Sequence, residues 1–142
     1  MGLFDGFKKK ENEAGILLEK HENKVLNDKD FLKAFGNMEV YYTTPFGDHK
    51  DGGQRLFVIP GPDKTGYMPV FISEQDMKNF YEQAGRKGYL IMKAPFISII
   101  ETNSKTNKSN TPVKLGLIID PIKYKVTLDV PMIDPIIRFI RG

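Results

Sequence analysis

The sequence of 142 residues contains no cysteine. Disulfides, a thiol nucleophile and thiolate metal ligands are therefore excluded. A chain without cysteine suits a reducing compartment, and we expect a cytoplasmic protein. No apolar stretch approaches the ~20 residues that a membrane-spanning helix requires. The first lysines follow the first large apolar residues, which is the reverse of a secretory signal peptide, so we do not expect secretion.

Reactive side chains are also scarce, because His21 and His49 are the only histidines. Neither stands in a recognisable nucleophile context, so the sequence predicts no Ser–His–Asp type of site. His49 lies between Asp48 and Asp51, but no second ligand pair at metal spacing accompanies it. Glycine-rich phosphate loops of the Walker or dinucleotide type are absent. We predict no catalytic residue, no cofactor and no metal, which favours a protein that is not an enzyme.

The charge of the chain is mildly basic, with a formal net charge of +3 and an isoelectric point near 9.0. No block of Lys and Arg is flanked by aromatic residues, the pattern that binders of single-stranded nucleic acid use. We therefore predict no nucleic-acid partner and interpret the charge as a solvated surface. The apolar fraction of 40% is ordinary for a globular protein, and the length suits a single domain.

The clearest structural pattern covers residues 55–85. A short apolar run there ends at a turn of proline, glycine and aspartate, and residues 67–72 predict a second strand. Ser73 predicts a helix N-cap with Asp76 three positions later, and Gly85 stands where a helix C-terminal glycine is expected. The apolar face of that helix has the spacing i, i+3, i+4 and i+7. Its members are Met77, Phe80, Tyr81 and Ala84.

The segments before this unit predict helices and one strand. From residue 14 the apolar spacing indicates one helix or two short ones. Asn27 or Asp28 caps a further short helix that Gly36 ends. A strand over residues 38–44 and a mobile loop over residues 45–54 follow.

The segments after the unit alternate between strands and polar turns. Five features are predicted: a strand at 89–93, a short helix at 95–100, a polar surface loop at 101–111, and strands at 115–119 and 124–130. A last short helix has Asp134 as N-cap and Pro135 in its first position. The fold class predicted from these elements is α+β, a single domain with a mixed or antiparallel sheet and helices packed on it.

The first 13 residues form a predicted tail, flexible or amphipathic, that precedes the domain at 14–142. Leu3, Phe4 and Phe7 would share one face if this tail were helical. Three lysines follow them: Lys8, Lys9 and Lys10. Such a segment would be a small interfacial anchor, whose apolar groups contribute ~5 kcal/mol at best before ordering costs, so that membrane contact would be weak. The alternative is a frayed tail, or one that packs on its own domain.

Two further features are candidate contacts for a protein partner. The free N–H groups at the N-terminus of the helix capped by Ser73 could hold an anion or a carboxylate, and the alternative is that Ser73 serves as a cap alone. Phe57, Tyr67 and Phe71 cluster in sequence around the central hairpin. If one sheet face is uncovered they form a binding patch, and otherwise they belong to the core.

Four stretches resemble the N-terminal domain of the SseB family of bacterial proteins. They are DFLKAFGNMEVYYTTP (30–45), RLFVIPGPDKTGYMPVFISEQDM (55–77), residues 89–100, and LGLIIDPIKYKVTL (115–128). In the second stretch Ile72 replaces the usual threonine before Ser73. In the fourth, Asp120 stands for the family's asparagine and no glycine follows Pro121.

The resemblance covers roughly residues 16–130 and implies an α+β fold with no catalytic residues. Many family members carry a second domain, so we expect this chain to correspond to the first. We expect a non-catalytic protein-binding or adaptor module with an unknown protein partner, and a homo-oligomer stays open. The alternatives are a peripheral membrane protein held by its tail, and a small-ligand binder or enzyme linked to amino-acid metabolism.

Overall fold

The computed structural model describes the backbone of residues 3–24 and 26–142, and the side chains of residues 13–24 and 26–142. Five α-helices form in this part of the chain. They are α1 (Leu3–Glu22), α2 (Asp28–Gly36), α3 (Glu74–Gln83), α4 (Phe96–Lys108) and α5 (Ile133–Arg141), with a 3-10 turn at Val130–Met132. The same residues form nine short strands. They are β1 (Glu39–Tyr42), β2 (Phe46–His49), β3 (Gln54–Leu56), β4 (Ile59–Pro60), β5 (Thr65–Val70), β6 (Arg86–Lys87), β7 (Met92–Pro95), β8 (Lys114–Ile119) and β9 (Val126–Leu128).

The strands pair into three small sheets. The largest has the order β4-β5-β8-β9, in which β5 and β8 are parallel and the other pairs are antiparallel. A second sheet has the order β3-β2-β6, and a third pairs β1 with β7, both antiparallel. The predicted α+β class, with a mixed sheet and helices packed on it, is confirmed.

The central unit at residues 55–85 has the predicted order of strand, turn, strand and helix, but the first strand is split, since Leu56 ends β3 and Ile59–Pro60 form β4, and β5 begins two residues earlier than predicted. β4 and β5 make an antiparallel hairpin, and α3 follows with the Ser73 hydroxyl accepting a hydrogen bond from the Asp76 N–H at 3.1 Å. Gly85 ends the helix with a φ of +74°, a conformation that glycine adopts without strain. On the predicted apolar face, Met77 and Tyr81 are fully buried, Phe80 is half-buried and Ala84 is exposed.

Two clusters of buried side chains form the core. The larger one joins α1, α2, α4 and α5 to the β5–β8 pair, through residues such as Leu18, Phe35, Val70, Ile100 and Ile119. The smaller one is Phe57, Phe71, Met77 and Tyr81, beneath α3. Its members are mostly aromatic, and their rings pack edge-on or tilted against one another.

The polar loop predicted at residues 101–111 is wrong, because α4 continues to Lys108. Its polar side chains make tertiary contacts that a surface loop would lack. Ser104 Oγ donates to Asp134 Oδ1 at 2.5 Å. The Asn107 amide exchanges two hydrogen bonds of 2.8 Å with the backbone of Leu115. The polar composition there thus includes side chains that hydrogen-bond to α5 and β8, while others, such as Lys105 and Thr106, are exposed.

Other boundaries differ from the predictions in smaller ways. Residues 45–54 form most of the β2–β3 hairpin instead of a loop, with β2 paired on both sides. β7 begins three residues later than predicted, at Met92, and Pro95 precedes α4 instead of occupying its first position. α5 begins at Ile133, so Asp134 lies in the first turn and is not the cap.

The N-terminal helix α1 is continuous, and the predicted boundary between residues 13 and 14 falls inside it. The side chains predicted to contact a membrane or a partner lie outside the described ones. They are Leu3, Phe4, Phe7, Lys8, Lys9 and Lys10. Within the described residues, no helix combines the length and the apolarity needed to cross a lipid bilayer.

Replacing Ser73, the N-cap of α3, tests whether this cap stabilises the central unit. We expect Ser73→Ala to lower the free energy of unfolding by about 1 kcal/mol, because the Asp76 N–H loses its acceptor. Urea unfolding followed by circular dichroism measures this. Ser73→Asp restores an acceptor and should recover most of the loss. Equal destabilisation by both substitutions would contradict the capping role.

Candidate functional site

The residues predicted to bind a partner do not share one surface. Phe57 is 8% exposed and Phe71 is fully buried, and both pack against Tyr81 in the smaller core cluster. This placement fits the core alternative for the two phenylalanines. Tyr67 is half-buried, and its hydroxyl donates to the Asp129 carboxylate. Ser73 is occupied as the cap of α3.

A buried arginine lies at the centre of the smaller core cluster. Arg86 follows Gly85 directly and is 7% exposed. Its guanidinium carbon lies 4.8 Å from the ring centroid of Tyr81, 4.9 Å from that of Phe57 and 5.5 Å from that of Tyr89. The faces of aromatic rings attract cations, so these three rings partly replace the water that the guanidinium has lost.

The same guanidinium holds the backbone ahead of β2. Its Nη2 donates to the carbonyl oxygens of Thr44 at 2.6 Å and Phe46 at 3.3 Å. A Cβ at Gly47 would approach Nη2 to 2.6 Å, so a side chain at this position would displace the guanidinium. Arg86 thereby fixes the start of the β2–β3 hairpin against α3.

The electrostatics of this arrangement are unusual for a buried cation. Within the part of the chain that the structure describes, Nε and Nη1 of Arg86 have no hydrogen-bond partner, and no carboxylate forms an ion pair with it. Burial raises the pKa of Tyr81 to about 12, although the Arg86 cation acts in the opposite direction. The Tyr81 hydroxyl lies near the guanidinium, yet the two do not meet with hydrogen-bond geometry.

An exposed apolar surface lies on the other side of this hairpin. Phe46 on β2 and Leu56 on β3 are directly opposite each other, and they are 57% and 39% exposed. Leu90 and Ile91, which are 77% and 37% exposed, lie between the β6–β2 pairing and the β7–β1 pairing. Because of these two pairings, the segment from β6 to β7 lies alongside the segment from β1 to β2. Leu90 and Ile91 therefore lie next to the residues that precede Phe46. We call these four residues the hairpin surface.

A cavity of about 230 Å³ opens beneath α4, between that helix and the ends of β1, β5, β7 and β8. Its apolar walls are Met68, Met92, Ile99 and Leu115. Its polar groups are Thr43, Thr44, Thr102, Asn103 and Thr106, and Tyr42 and Pro45 complete the lining. None of these described lining residues carries a charge. Thr44 and Pro45 lie beside Phe46, so the cavity and the hairpin surface adjoin.

The remaining polar clusters lack the arrangement of an acid–base or nucleophilic site. His49 stacks on Phe57, and its Nδ1 accepts a hydrogen bond from the Asp51 N–H at 3.2 Å. Asp134 has its pKa lowered by the Ser104 hydroxyl and by Lys108, so this carboxylate is a poor base for Ser104. In the described residues, no group of three or more His, Asp or Glu side chains could hold a metal ion.

Comparisons with known proteins supply no relative: no family model matches the chain, and neither a curated protein nor a solved structure matches it significantly.

Sequence reasoning missed Arg86, Asn103 and the hairpin surface for different reasons. Arg86 looks like an ordinary surface cation after a helix, and only the three-dimensional meeting of three aromatic rings buries it. Asn103 lies in a polar run that was predicted as a loop. Phe46 lies in the segment predicted as a mobile hairpin tip, where a single apolar residue carried no periodic signal.

Because Tyr81 is buried, we predict that the free energy of unfolding falls at alkaline pH. Its pKa is raised from 10.0 to about 12, so between these values the folded state keeps a proton that the unfolded state has lost. Stability is therefore complete below about pH 10 and falls as the pH rises. We expect wild type to lose about 1 kcal/mol more than Tyr81→Phe by about pH 11.

Urea unfolding of both proteins between about pH 7 and about pH 11 measures this difference. At neutral pH the two should differ by less than about 1 kcal/mol, because the Tyr81 hydroxyl makes no hydrogen bond among the described residues. The other tyrosines are present in both proteins and cancel. Parallel pH profiles for the two proteins would show that Tyr81 ionises normally.

Proposed function

We propose that this chain is a non-catalytic protein-binding module that contacts its partner through the hairpin surface. The observation that carries the proposal is the exposed, directly opposed pair Phe46 and Leu56 on the β2–β3 hairpin, together with the exposed Leu90 and Ile91 on the segment that runs alongside the chain before Phe46. Single exposed apolar residues are common on proteins. A contiguous group is typical of an interaction site, because water leaves all of it at once when a partner docks.

The neighbouring strand edge supports an extended peptide segment as the part of the partner that docks. β3 is the outer strand of its sheet, and all three of its residues are exposed. An outer strand offers unpaired backbone groups to an added strand. A strand added beside β3 would run next to Leu56 and could place its own apolar side chains against Leu56 and Phe46.

The resemblance of four sequence stretches to the SseB family supports the same class of function. Its motifs are structural and bring no catalytic residue to this chain. We propose that the chain is an SseB-like bacterial protein, that it acts in the cytoplasm, and that its partner is a protein rather than a nucleic acid. The polar clusters around His49 and Ser104, which lack a positioned base, are consistent with a role in binding.

Site-specific photo-crosslinking tests the hairpin surface. A photoreactive amino acid at position 46 should capture a protein in cells, and the same group at position 122 should not. Ile122 is a matched control because it is 47% exposed and lies in the turn between β8 and β9, outside the hairpin surface. Mass spectrometry then identifies the captured protein and distinguishes a different protein from a second copy of this chain.

Direct binding of the purified partner completes the test. We expect Leu56→Ser to weaken binding at least about tenfold in a calorimetric titration, equivalent to about 1.4 kcal/mol, because an apolar contact is lost. Ile122→Ser should leave the affinity unchanged. Equal capture at positions 46 and 122, no capture at all, or an unchanged affinity for Leu56→Ser would each refute the proposal.

A second candidate function is membrane attachment through the N-terminal segment. Such an anchor requires a helix, and the backbone of α1 is helical from Leu3. On a helix, Leu3, Phe4 and Phe7 fall on one side, and the three lysines that follow would suit anionic headgroups. The expected affinity is weak and reversible.

Vesicle sedimentation tests this candidate. Wild type should sediment with anionic vesicles at least a few-fold more than a Phe4→Ala/Phe7→Ala variant, because the variant loses most of the apolar area. Ile16→Ala is the control, since Ile16 is 50% exposed on the same helix and lies outside the segment. Equal sedimentation of all three proteins would remove the membrane role.

A further inference from the structure

A pocket separate from the cavity beneath α4 lies beside the outer strand of the β3-β2-β6 sheet. It has a volume of about 210 Å³ and lies between the β3 segment and the C-terminal end of α3. We call it the α3 pocket, and Leu56 belongs both to its lining and to the hairpin surface, so the two are continuous. Its lining residues are Leu56, Phe57, Val58, Phe80 and Ala84, which are apolar, with His49 and Arg55 as the polar members.

The backbone of β3 is arranged to accept another strand on its free side. The Gly53 carbonyl and the Phe57 N–H both hydrogen-bond to the chain around β2, at 2.7 and 2.6 Å. Backbone groups alternate between the two sides of a strand, so the N–H and carbonyl groups of Gln54 and Leu56 point away from β2. Among the described strands, β3 has no neighbour on that side. An extended peptide docked there would therefore pair with Gln54 and Leu56.

Alternate residues of such a docked strand would face opposite sides of the sheet. Phe46 and Leu56 are paired on one side, which is the hairpin surface. Arg55 is paired with Gly47 on the other side, where a Cβ at Gly47 would meet the buried Arg86 guanidinium. Partner residues on this second side would meet Arg55 and the α3 pocket, and the residue between them would lie on the hairpin surface.

Arg55 supplies the charge of this groove. Of the described residues that line the α3 pocket it is the one with a permanent charge, and its side chain is 54% exposed. Its Nη2 donates to the Asp51 carboxylate, and the guanidinium makes no further hydrogen bond to a described residue. A guanidinium has five N–H donors in a planar fork, so Arg55 can bind a second carboxylate while it keeps Asp51.

We propose that the groove between β3 and α3 binds an extended segment of a partner protein in which an apolar and an acidic residue are two positions apart. This inference rests on the proposed function and specifies the partner for it. The apolar side chain enters the α3 pocket, the next residue packs on Leu56, and the one after it presents a carboxylate to Arg55. A cavity of about 150 Å³ accepts benzene, so the 210 Å³ here suits a side chain such as leucine.

A synthetic peptide whose sequence reads the same in both directions tests the proposal whichever way the peptide lies along β3. Acetyl-Thr-Glu-Val-Leu-Val-Glu-Thr-amide offers a leucine to the pocket, a valine to the hairpin surface and a glutamate to Arg55. Titration of the isotope-labelled protein, followed by heteronuclear NMR, gives the affinity and the residues that respond. We expect the amide resonances of Gln54, Leu56, Phe80 and Ala84 to shift.

Ala84→Leu tests the pocket, because Ala84 is exposed at the end of α3 and a larger side chain there fills the pocket without entering the core. Wild type should bind this peptide about tenfold more tightly than a peptide with serine in place of leucine, since an apolar contact is lost. Ala84→Leu should weaken binding of the leucine peptide about tenfold and remove the preference for leucine. Gln83→Leu is the matched control and should leave the affinity unchanged, because Gln83 is exposed beside Ala84 and does not line the pocket.

Arg55→Gln isolates the contact with the carboxylate. Wild type should bind the glutamate peptide about two- to fivefold more tightly than a peptide with glutamine at both acidic positions, and the ratio should shrink as salt is added. This preference should disappear in Arg55→Gln. The side chain is exposed, so the variant should keep the fold and the preference for leucine over serine.

Several results would overturn the proposal. They are a peptide that does not bind, shifts away from β3 and α3, equal binding to wild type and Ala84→Leu, and equal binding of the glutamate and glutamine peptides to wild type. A second copy of this chain is the competing occupant, so a dimer in sedimentation velocity that Ala84→Leu dissociates would also overturn it. Each of these results concerns the α3 pocket, whereas the proposed function stands or falls with capture at position 46.

Discussion

The parallel pairing of β5 with β8 is the constraint on which the rest of the structure depends. Six consecutive residues of each strand are in register, from Thr65 opposite Lys114 to Val70 opposite Ile119. Two parallel strands cannot be joined by a tight turn, so the chain between them must cross over and return. That crossover consists of α3, β6, β7 and α4, and it carries Arg86, two residues of the hairpin surface and Asn103. The crossover thus contributes the buried arginine and half of the hairpin surface, and β2 and β3 supply the other half.

The two core clusters use polar groups in opposite ways. Beneath α3, a buried cation is surrounded by rings and backbone carbonyls, so its charge is offset without any carboxylate among the described residues. Along α4, the side chains of Ser104 and Asn107 contact α5 and β8. A specific hydrogen bond offsets the cost of removing each of them from water. Asn103 departs from this pattern, because its Nδ2 is enclosed and has no hydrogen-bond partner among the described residues.

Much of the fold was accessible from sequence because it depends on local signals. The signals for the N-cap at Ser73, the glycine at Gly85 and the strand at 115–119 each act within a few residues, and these features formed as predicted, whereas the strand predicted at 67–72 forms at Thr65–Val70. The length of α4 was not accessible, since asparagine, serine and threonine are poor helix formers whose partners here lie on distant elements. The candidate sites were missed for the same reason. A cavity and an exposed surface depend on how helices and strands pack together, whereas local sequence patterns indicate only the secondary structure that each segment prefers.

The hairpin surface and the cavity meet at a segment that Arg86 holds in place. Thr44 and Pro45 line the cavity, Phe46 begins the hairpin surface, and the guanidinium binds the carbonyl oxygens of Thr44 and Phe46. Any movement that linked the two sites would have to stretch these charge-assisted hydrogen bonds inside an aromatic enclosure, where the cation has no water to replace them. Binding at one site can influence the other only as far as it favours a different position of this segment. The buried arginine therefore holds this segment in one position, so that the hairpin surface is expected to keep one shape.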